Sequence, residues 1–214
     1  MPSAFTNISE KTERKNRFWY FIMMRVITGT AKGKKLKTLE GDATRPTSER
    51  IKGAIFSSIQ FEIEDRSVLD LFAGSGQMGI EALSRGARRA FFVDSSREAM
   101  EIVRDNLASC GFADKSKYLV QDFRNYIRKA SGREVFDLVF IDPPYKDKTA
   151  LSALDQLRRG GMLAAGAIVC LEAGEEFSGN EEELLGFEVI KNTAYGKKSF
   201  VLIAIYRPEE SEYV

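Results

Sequence analysis

The sequence has no histidine among its 214 residues. That absence removes imidazole general bases, Ser/His/Asp and Cys/His catalytic pairs, and the commonest zinc ligand together. Cysteine is nearly missing as well: Cys110 and Cys170 stand far apart in apolar contexts, so there is neither a zinc cluster nor a Cys-x-x-Cys redox pair. Both read as packing thiols in a reducing, cytoplasmic setting. Long apolar runs are absent too. The longest near the start, Phe18 to Met24, is too short to span a bilayer and has no small-residue cleavage site behind it. The expectation is a chain without membrane anchor, export signal or metal.

What is present is ordinary globular composition, 43% hydrophobic and 29% charged, with 32 Lys/Arg against 31 Asp/Glu. At 24.0 kDa this suits one main domain. The near-zero total conceals a polarity: residues 1–60 hold 12 Lys/Arg and 5 Asp/Glu, a balance of +7, which leaves −6 on the rest. The basic end suits a polyanion, although Lys32, Lys34, Lys35 and Lys37 could equally serve to keep a short hairpin soluble. Residues 1–23 connect poorly to the strand pattern that begins at Met24, and are expected to be a disordered extension or the product of a start upstream of the natural one. Residues 24–60 then form a basic hairpin and helix, and 61–210 the principal domain.

From Leu69 onward strand-like and helix-like segments alternate. Val68 to Phe72 is a short apolar run closed by Gly74 and Gly76, and Gln77 to Arg85 continues at helical spacing. Ala90 to Asp94 repeats the strand and Arg97 to Ser109 the helix, which Gly111 stops. Lys117 to Val120 is a third strand, succeeded by a short helix holding Phe123, Tyr126 and Ile127. Phe136 to Ile141 is a fourth, broken by Asp142-Pro143-Pro144, and Ala167 to Leu171 a fifth, behind a helix through Leu151, Leu154 and Leu157. Continuous apolar strands of this kind predict a parallel sheet covered on both faces. Phe187 to Lys191 and Phe200 to Tyr206 are joined too tightly for a crossover, so an antiparallel hairpin closes the sheet. Ahead of it lie strand candidates Arg25 to Thr28 and Lys35 to Leu39, then a helix from Ser48 to Ile59 with Ile51, Ile55 and Ile59 on one face. Glu181 to Glu183 reads as a solvated helix face.

Gly74-Ser75-Gly76-Gln77-Met78-Gly79 has the form GxGxxG between a strand and a helix, and Asp94 ends the next strand 20 residues after Gly74. The glycines require close backbone approach by some ligand, either a dinucleotide or the amino-acid moiety of S-adenosylmethionine. Asp142-Pro143-Pro144-Tyr145 at the end of the fourth strand, with the closing hairpin, favours a class I methyltransferase over a dehydrogenase. The lone pair of an exocyclic base amine is delocalised into the ring. The Asp142 carboxylate and the Pro143 carbonyl can accept its N–H groups, since proline fixes φ and directs the turn's carbonyl without adding a competing N–H; Pro144 continues the turn, and Tyr145 can stack on an extruded base. Asp94 suits ribose hydroxyls, with Ser95 beside it; Asp122 suits either the adenine amine or a turn cap, with Phe123 next to the ring. Asp70 reads as a group orienting the glycine loop or the methionyl ammonium, with Phe72, Ser75 and Gly76 completing the cofactor edge.

From Met24 to about Arg207 the chain resembles the bacterial 16S ribosomal RNA guanine-N2 methyltransferases. The matching segments are Arg25-Val26-Ile27-x-Gly29 with its basic hairpin, Thr44-Arg45-Pro46-Thr47, Asp70 to Gly76, Glu81-Ala82-Leu83-Ser84-Arg85-Gly86-Ala87, Asp142 to Tyr145, and Tyr195-Gly196. The resemblance implies an α/β, Rossmann-like class I fold with a terminal antiparallel hairpin, and methyl transfer from S-adenosylmethionine to the N2 amine of one guanine. It also implies a 16S RNA partner within the 30S subunit or its assembly intermediates, met by a monomer. Lys32, Lys34, Lys35 and Lys37 would then contact phosphates, and Arg45 and Arg50 would lie near the active-site mouth. Asp94 departs from the Glu more often found at that place in the family. Three other readings compete: an adenine-N6 methyltransferase acting on DNA or RNA, an NAD-dependent oxidoreductase using Gly74, Gly76, Gly79 and Asp94, and a catalytically silent RNA-binding assembly factor.

Overall fold

The computed structural model describes residues 24–39, 46–144, 149–173, 184–196 and 199–208, with the side chains of 46–48 left out. Arg45, Tyr145, residues 1–23 and Glu181 to Glu183 lie outside the described residues.

Helix α1 (Pro46–Ser58) leads to strand β1 (Ser67–Asp70), α2 (Gln77–Ser84), β2 (Arg89–Asp94), α3 (Arg97–Cys110), a 3-10 turn (Ala113–Lys115) and β3 (Ser116–Val120). Then come α4 (Phe123–Ala130), β4 (Phe136–Ile141), α5 (Thr149–Arg159), β5 (Leu163–Ala173), β6 (Phe187–Ala194) and β7 (Phe200–Tyr206). The seven strands form one sheet in the order β3-β2-β1-β4-β5-β7-β6. β1 to β5 pair in parallel, while β7 runs antiparallel to both β5 and β6.

Strand residues alternate between two apolar layers. Val68, Leu138, Phe140, Ile168, Cys170, Val201 and Ile203 face one core with α1, α2 and α3; Leu69, Val139, Ile141, Val169, Leu171 and Leu202 face the other with α4 and α5. Helix α1 supplies Ile51, Ile55 and Phe56 to the first core, with Ile59 just past its end, and Phe56 meets Phe140 with ring centroids 5.5 Å apart. Each such side chain contributes about 1.5–3 kcal/mol by burial. That tertiary gain holds a helix of 13 residues that would be marginal alone.

Several boundaries differ from the sequence reading for local reasons. The predicted strands Arg25–Thr28 and Lys35–Leu39 reduce to a single antiparallel bridge, Arg25 with Lys35, because Gly29 and Gly33 at φ 87° and 82° fold the intervening residues into successive turns. Strand β5 starts at Leu163, four residues early, since a bulge containing Gly166 at φ 79° lets it resume pairing with β4. Coverage of both faces fails at the edge: Tyr118, Leu119 and Val120 of β3 are exposed.

Candidate active site

The chain leaves β1 for β2 and β3 on one side and returns to β4 on the other, so the sheet reverses its winding between β1 and β4. Loops on either side of such a switch point diverge and leave a crevice at the carboxyl ends of the strands. The glycine loop succeeds β1 and the Asp142 turn succeeds β4, and the two strands are paired directly, Asp70 opposite Phe140. The topology therefore brings the two sharpest sequence motifs to one crevice.

The three glycines have different reasons. A Cβ on Gly79 would lie 2.4 Å from the Phe92 ring, and one on Gly76 would lie 3.1 Å from Val103, so both are needed for packing of α2, Gly76 also at φ 77°. A Cβ on Gly74 would meet nothing within 4 Å, while its φ is 51°. Gly74 thus leaves open space along the backbone, the property a bound ligand uses.

Two carboxylates set the loop. Asp94, at the end of β2, accepts from Gly74 N at 2.9 Å through Oδ2 and from Ser96 N at 2.8 Å through Oδ1. Each oxygen keeps a further acceptor direction for a diol. Its shorter side chain is therefore already committed to the loop, a role absent from the sequence reading. Asp70 is 3% exposed and its Oδ2 accepts from Gly79 N at 3.0 Å, so it holds the first turn of α2. Burial pushes its carboxyl up to about 7, opposed by the Gly79 bond and aided by the Asp94 charge.

At the end of β3, Asp122 acts as the cap of α4: Oδ1 accepts from Arg124 N at 3.0 Å and from Asn125 N at 3.2 Å. Of the two sequence readings for Asp122, the structure displays the cap. Phe123 is buried and meets half-buried Phe72 at 5.0 Å between centroids, with the Arg124 guanidinium 4.4 Å above the Phe123 ring. Ser75 is buried and Ser95 exposed. The open Gly74 backbone, the Asp94 carboxylate and the Phe72–Phe123 pair line the carboxyl edge from β1 to β3. This set fits S-adenosylmethionine: a backbone cradle for the amino acid, acceptors for a diol, aromatic surface for a base.

Beyond β4, Asp142 and Pro144 are exposed while Pro143 is buried, so the turn is anchored through Pro143. Arg50 is exposed on α1, and Lys32, Lys34, Lys35 and Lys37 are exposed on the hairpin, Lys37 paired with Asp105 at 2.8 Å.

The sequence reading missed what locks the hairpin in place. Glu81, wholly buried on α2, accepts from Ile27 N at 2.7 Å and Thr28 N at 3.0 Å, pairs with Arg85 at 2.9 Å and with Lys52 of α1 at 3.3 Å. Lys52, 1% exposed, also donates to Arg25 O at 2.7 Å; burial holds its ammonium below the usual lysine range, against the pull of Glu81. Ser84 Oγ donates to Thr28 O at 2.6 Å and accepts from Ala31 N at 3.0 Å. A Cβ on Gly29 would sit 1.8 Å from Ser84 O, so only glycine permits this approach. Two segments quoted separately from the sequence, Arg25–Gly29 and Glu81–Ala87, are the two halves of one contact. A lysine beside Ile51 on a buried helix face, and a glutamate amid Ile80, Ala82 and Leu83, were its only sequence traces.

Residues 24–204 match the family described as conserved hypothetical protein 95. The ribosomal RNA small subunit methyltransferase D of Haemophilus influenzae is 30% identical over 155 residues, covering 72% of this chain and 80% of that protein. The Escherichia coli K12 protein of the same name is 30% identical over 153 residues, with coverage of 72% and 76%. The solved yhhF chain from Escherichia coli superposes with a TM-score of 0.78 at 26% identity, covering 87% of this chain and 99% of its own. With its sheet order, its glycine loop and its match over residues 24–204, the chain belongs to this family, that of the ribosomal RNA small subunit methyltransferase D proteins, and has the class I methyltransferase fold.

Proposed function

We propose that this chain transfers a methyl group from S-adenosylmethionine to the N2 amine of a guanine in 16S ribosomal RNA. The observation that carries the reading is the Asp142-Pro143-Pro144 turn at the end of β4, one strand away from the glycine loop across the switch point, in a chain of this family. When bound, the cofactor supplies an electrophilic sulfonium methyl group.

The protein's part is to bind, to aim and to accept protons. The open Gly74 backbone and Asp94 hold the cofactor, with Asp70, Phe72, Ser75, Gly76, Ser95, Asp122 and Phe123 completing its edge. The Asp142 carboxylate and the Pro143 carbonyl accept hydrogen bonds from the amine; this draws its lone pair out of ring conjugation and holds the nitrogen in line for displacement. Pro144 has no N–H to compete for those acceptors, and Tyr145 stacks on the base. The methylated amine, briefly cationic, loses its proton to Asp142 or water. No imidazole is required, consistent with a chain that has no histidine.

The exposed lysines of the hairpin, with Arg45 and Arg50, grip phosphates. The partner is the 30S subunit or an assembly intermediate, met by a monomer in the cytoplasm. Among the described residues both cysteines are free thiols, and no helix is long and apolar enough to cross a membrane.

Subunits from a strain lacking this protein, incubated with radiolabelled cofactor and digested to nucleosides, are expected to yield N2-methylguanosine. The variant Asp142→Ala is expected to lower the rate by about 100-fold or more while leaving RNA binding intact. Label in N6-methyladenosine would reassign the base, and full activity of the variant would remove Asp142 from the mechanism.

A further inference from the structure

Asn106 lies between Val103 and Leu107 on the buried stripe of α3 and is itself 1% exposed. Its side-chain amide is fully employed. Oδ1 accepts from Lys37 N at 2.8 Å, and Nδ2 donates to Lys37 O at 3.0 Å and to Ser75 O at 2.9 Å. Lys37 belongs to the basic hairpin; Ser75 is the middle residue of Gly74-Ser75-Gly76. One side chain thus bonds the element with the exposed lysines to the centre of the glycine loop. The neighbouring Asp105 takes the Lys37 ammonium at 2.8 Å, so consecutive residues of α3 hold both the backbone and the side chain of Lys37.

A buried amide with both donors and its carbonyl engaged fixes the relative placement of the groups it joins, because breaking any one bond leaves an unsatisfied polar atom out of water. Gly74, the loop residue next to Ser75, faces open space, so the loop depends on its tethers for a fixed shape: Asp94 on Gly74 N, Asn106 on Ser75 O, the Gly76 N to Ala73 O turn at 2.7 Å, and the backbone bonds of Ala73 N to Val93 O and Ile80 N to Gly76 O. Of these, the Asn106 bond is the one that reaches the hairpin.

We propose that Asn106 is a positioning residue that couples the basic hairpin to the glycine loop, so that RNA bound on the hairpin and cofactor bound in the loop strengthen one another. The coupling rests on the proposed function of the chain as an RNA methyltransferase. A polyanion on Lys32, Lys34, Lys35 and Lys37 restrains the segment around Lys37; the shared amide passes that restraint to Ser75, and the second ligand then has less ordering left to impose. Coupling of this kind is reciprocal in affinity.

The test is calorimetric titration of S-adenosylhomocysteine into the full chain, native and Asn106→Ala, each with and without small subunits whose 16S RNA is unmethylated, taken from a strain lacking this protein. In the native chain the subunits are expected to tighten binding by at least about fivefold, and in Asn106→Ala by less than about twofold, with each ligand still bound alone. Equal enhancement in both proteins, or none in the native chain, overturns the coupling. If the native chain binds neither ligand, the proposed function fails and the coupling with it. Should Asn106→Ala not fold, amide exchange of the native chain decides: the subunits alone are expected to slow exchange at Gly74 and Gly76, and unchanged exchange there refutes the proposal.

Discussion

Asp70 sits at the end of β1 with its carboxyl raised to about 7, which ties stability to pH through a single group. Because its folded value is above the unfolded one, the folded state keeps a proton that the unfolded chain releases near 3.8. The stability contributed by this group is therefore whole below the unfolded value and is lost as the pH climbs through about 7. The change is of order 4 kcal/mol at about 1.36 kcal/mol per pH unit of displacement. Replacing it with Asn, neutral at every pH and still able to accept from Gly79 N, is expected to leave Tm similar at about pH 4 and to raise it relative to the native chain at about pH 8. Thermal denaturation across that range checks this, and a difference that does not vary with pH contradicts it.

At the scale of elements, the hairpin, α1 and α2 meet in the buried Lys52–Glu81–Arg85 group. Removing Glu81 strands the Lys52 ammonium away from water and frees Ile27 N and Thr28 N together, so Glu81→Ala is expected to cost about 3–5 kcal/mol. Urea unfolding measures the loss; a cost under about 1 kcal/mol, the range of an exposed ion pair, would show the group to be solvated. This contact also marks where sequence reading stopped. Strands β1, β2 and β4, the closing antiparallel pair and the Gly111 stop of α3 were legible, because apolar periodicity and glycine punctuation are local signals. The site loops were legible for the same reason, since they sit at strand ends. The engagement of Glu81 with Ile27, of Asn106 with Ser75 and of Asp94 with Gly74 was not, because pairing between polar groups distant in the chain leaves no periodic trace. Gly79 completes the GxGxxG pattern that the oxidoreductase alternative uses, whereas its missing side chain makes room for Phe92.

Across the whole molecule the charge is nearly balanced, yet the excess of base lies in the first 60 residues. RNA binding is accordingly expected to weaken steeply with salt even at a formal net charge of +1. Replacing Lys32, Lys34 or Lys35 by Ala is expected to reduce the slope of log affinity against log salt by about 1 each, read from filter binding at several salt concentrations. Unaltered slopes would place the polyanion elsewhere. The order in which the sheet is assembled carries a separate consequence. Helix α1 packs against β7 and against Phe140 of β4, and β7 must slot between β5 and β6, although β7 comes far later in the chain than α1. The nascent polypeptide therefore emerges from its own ribosome with α1 still lacking its seat, and can complete its first core layer only once β7 has been made.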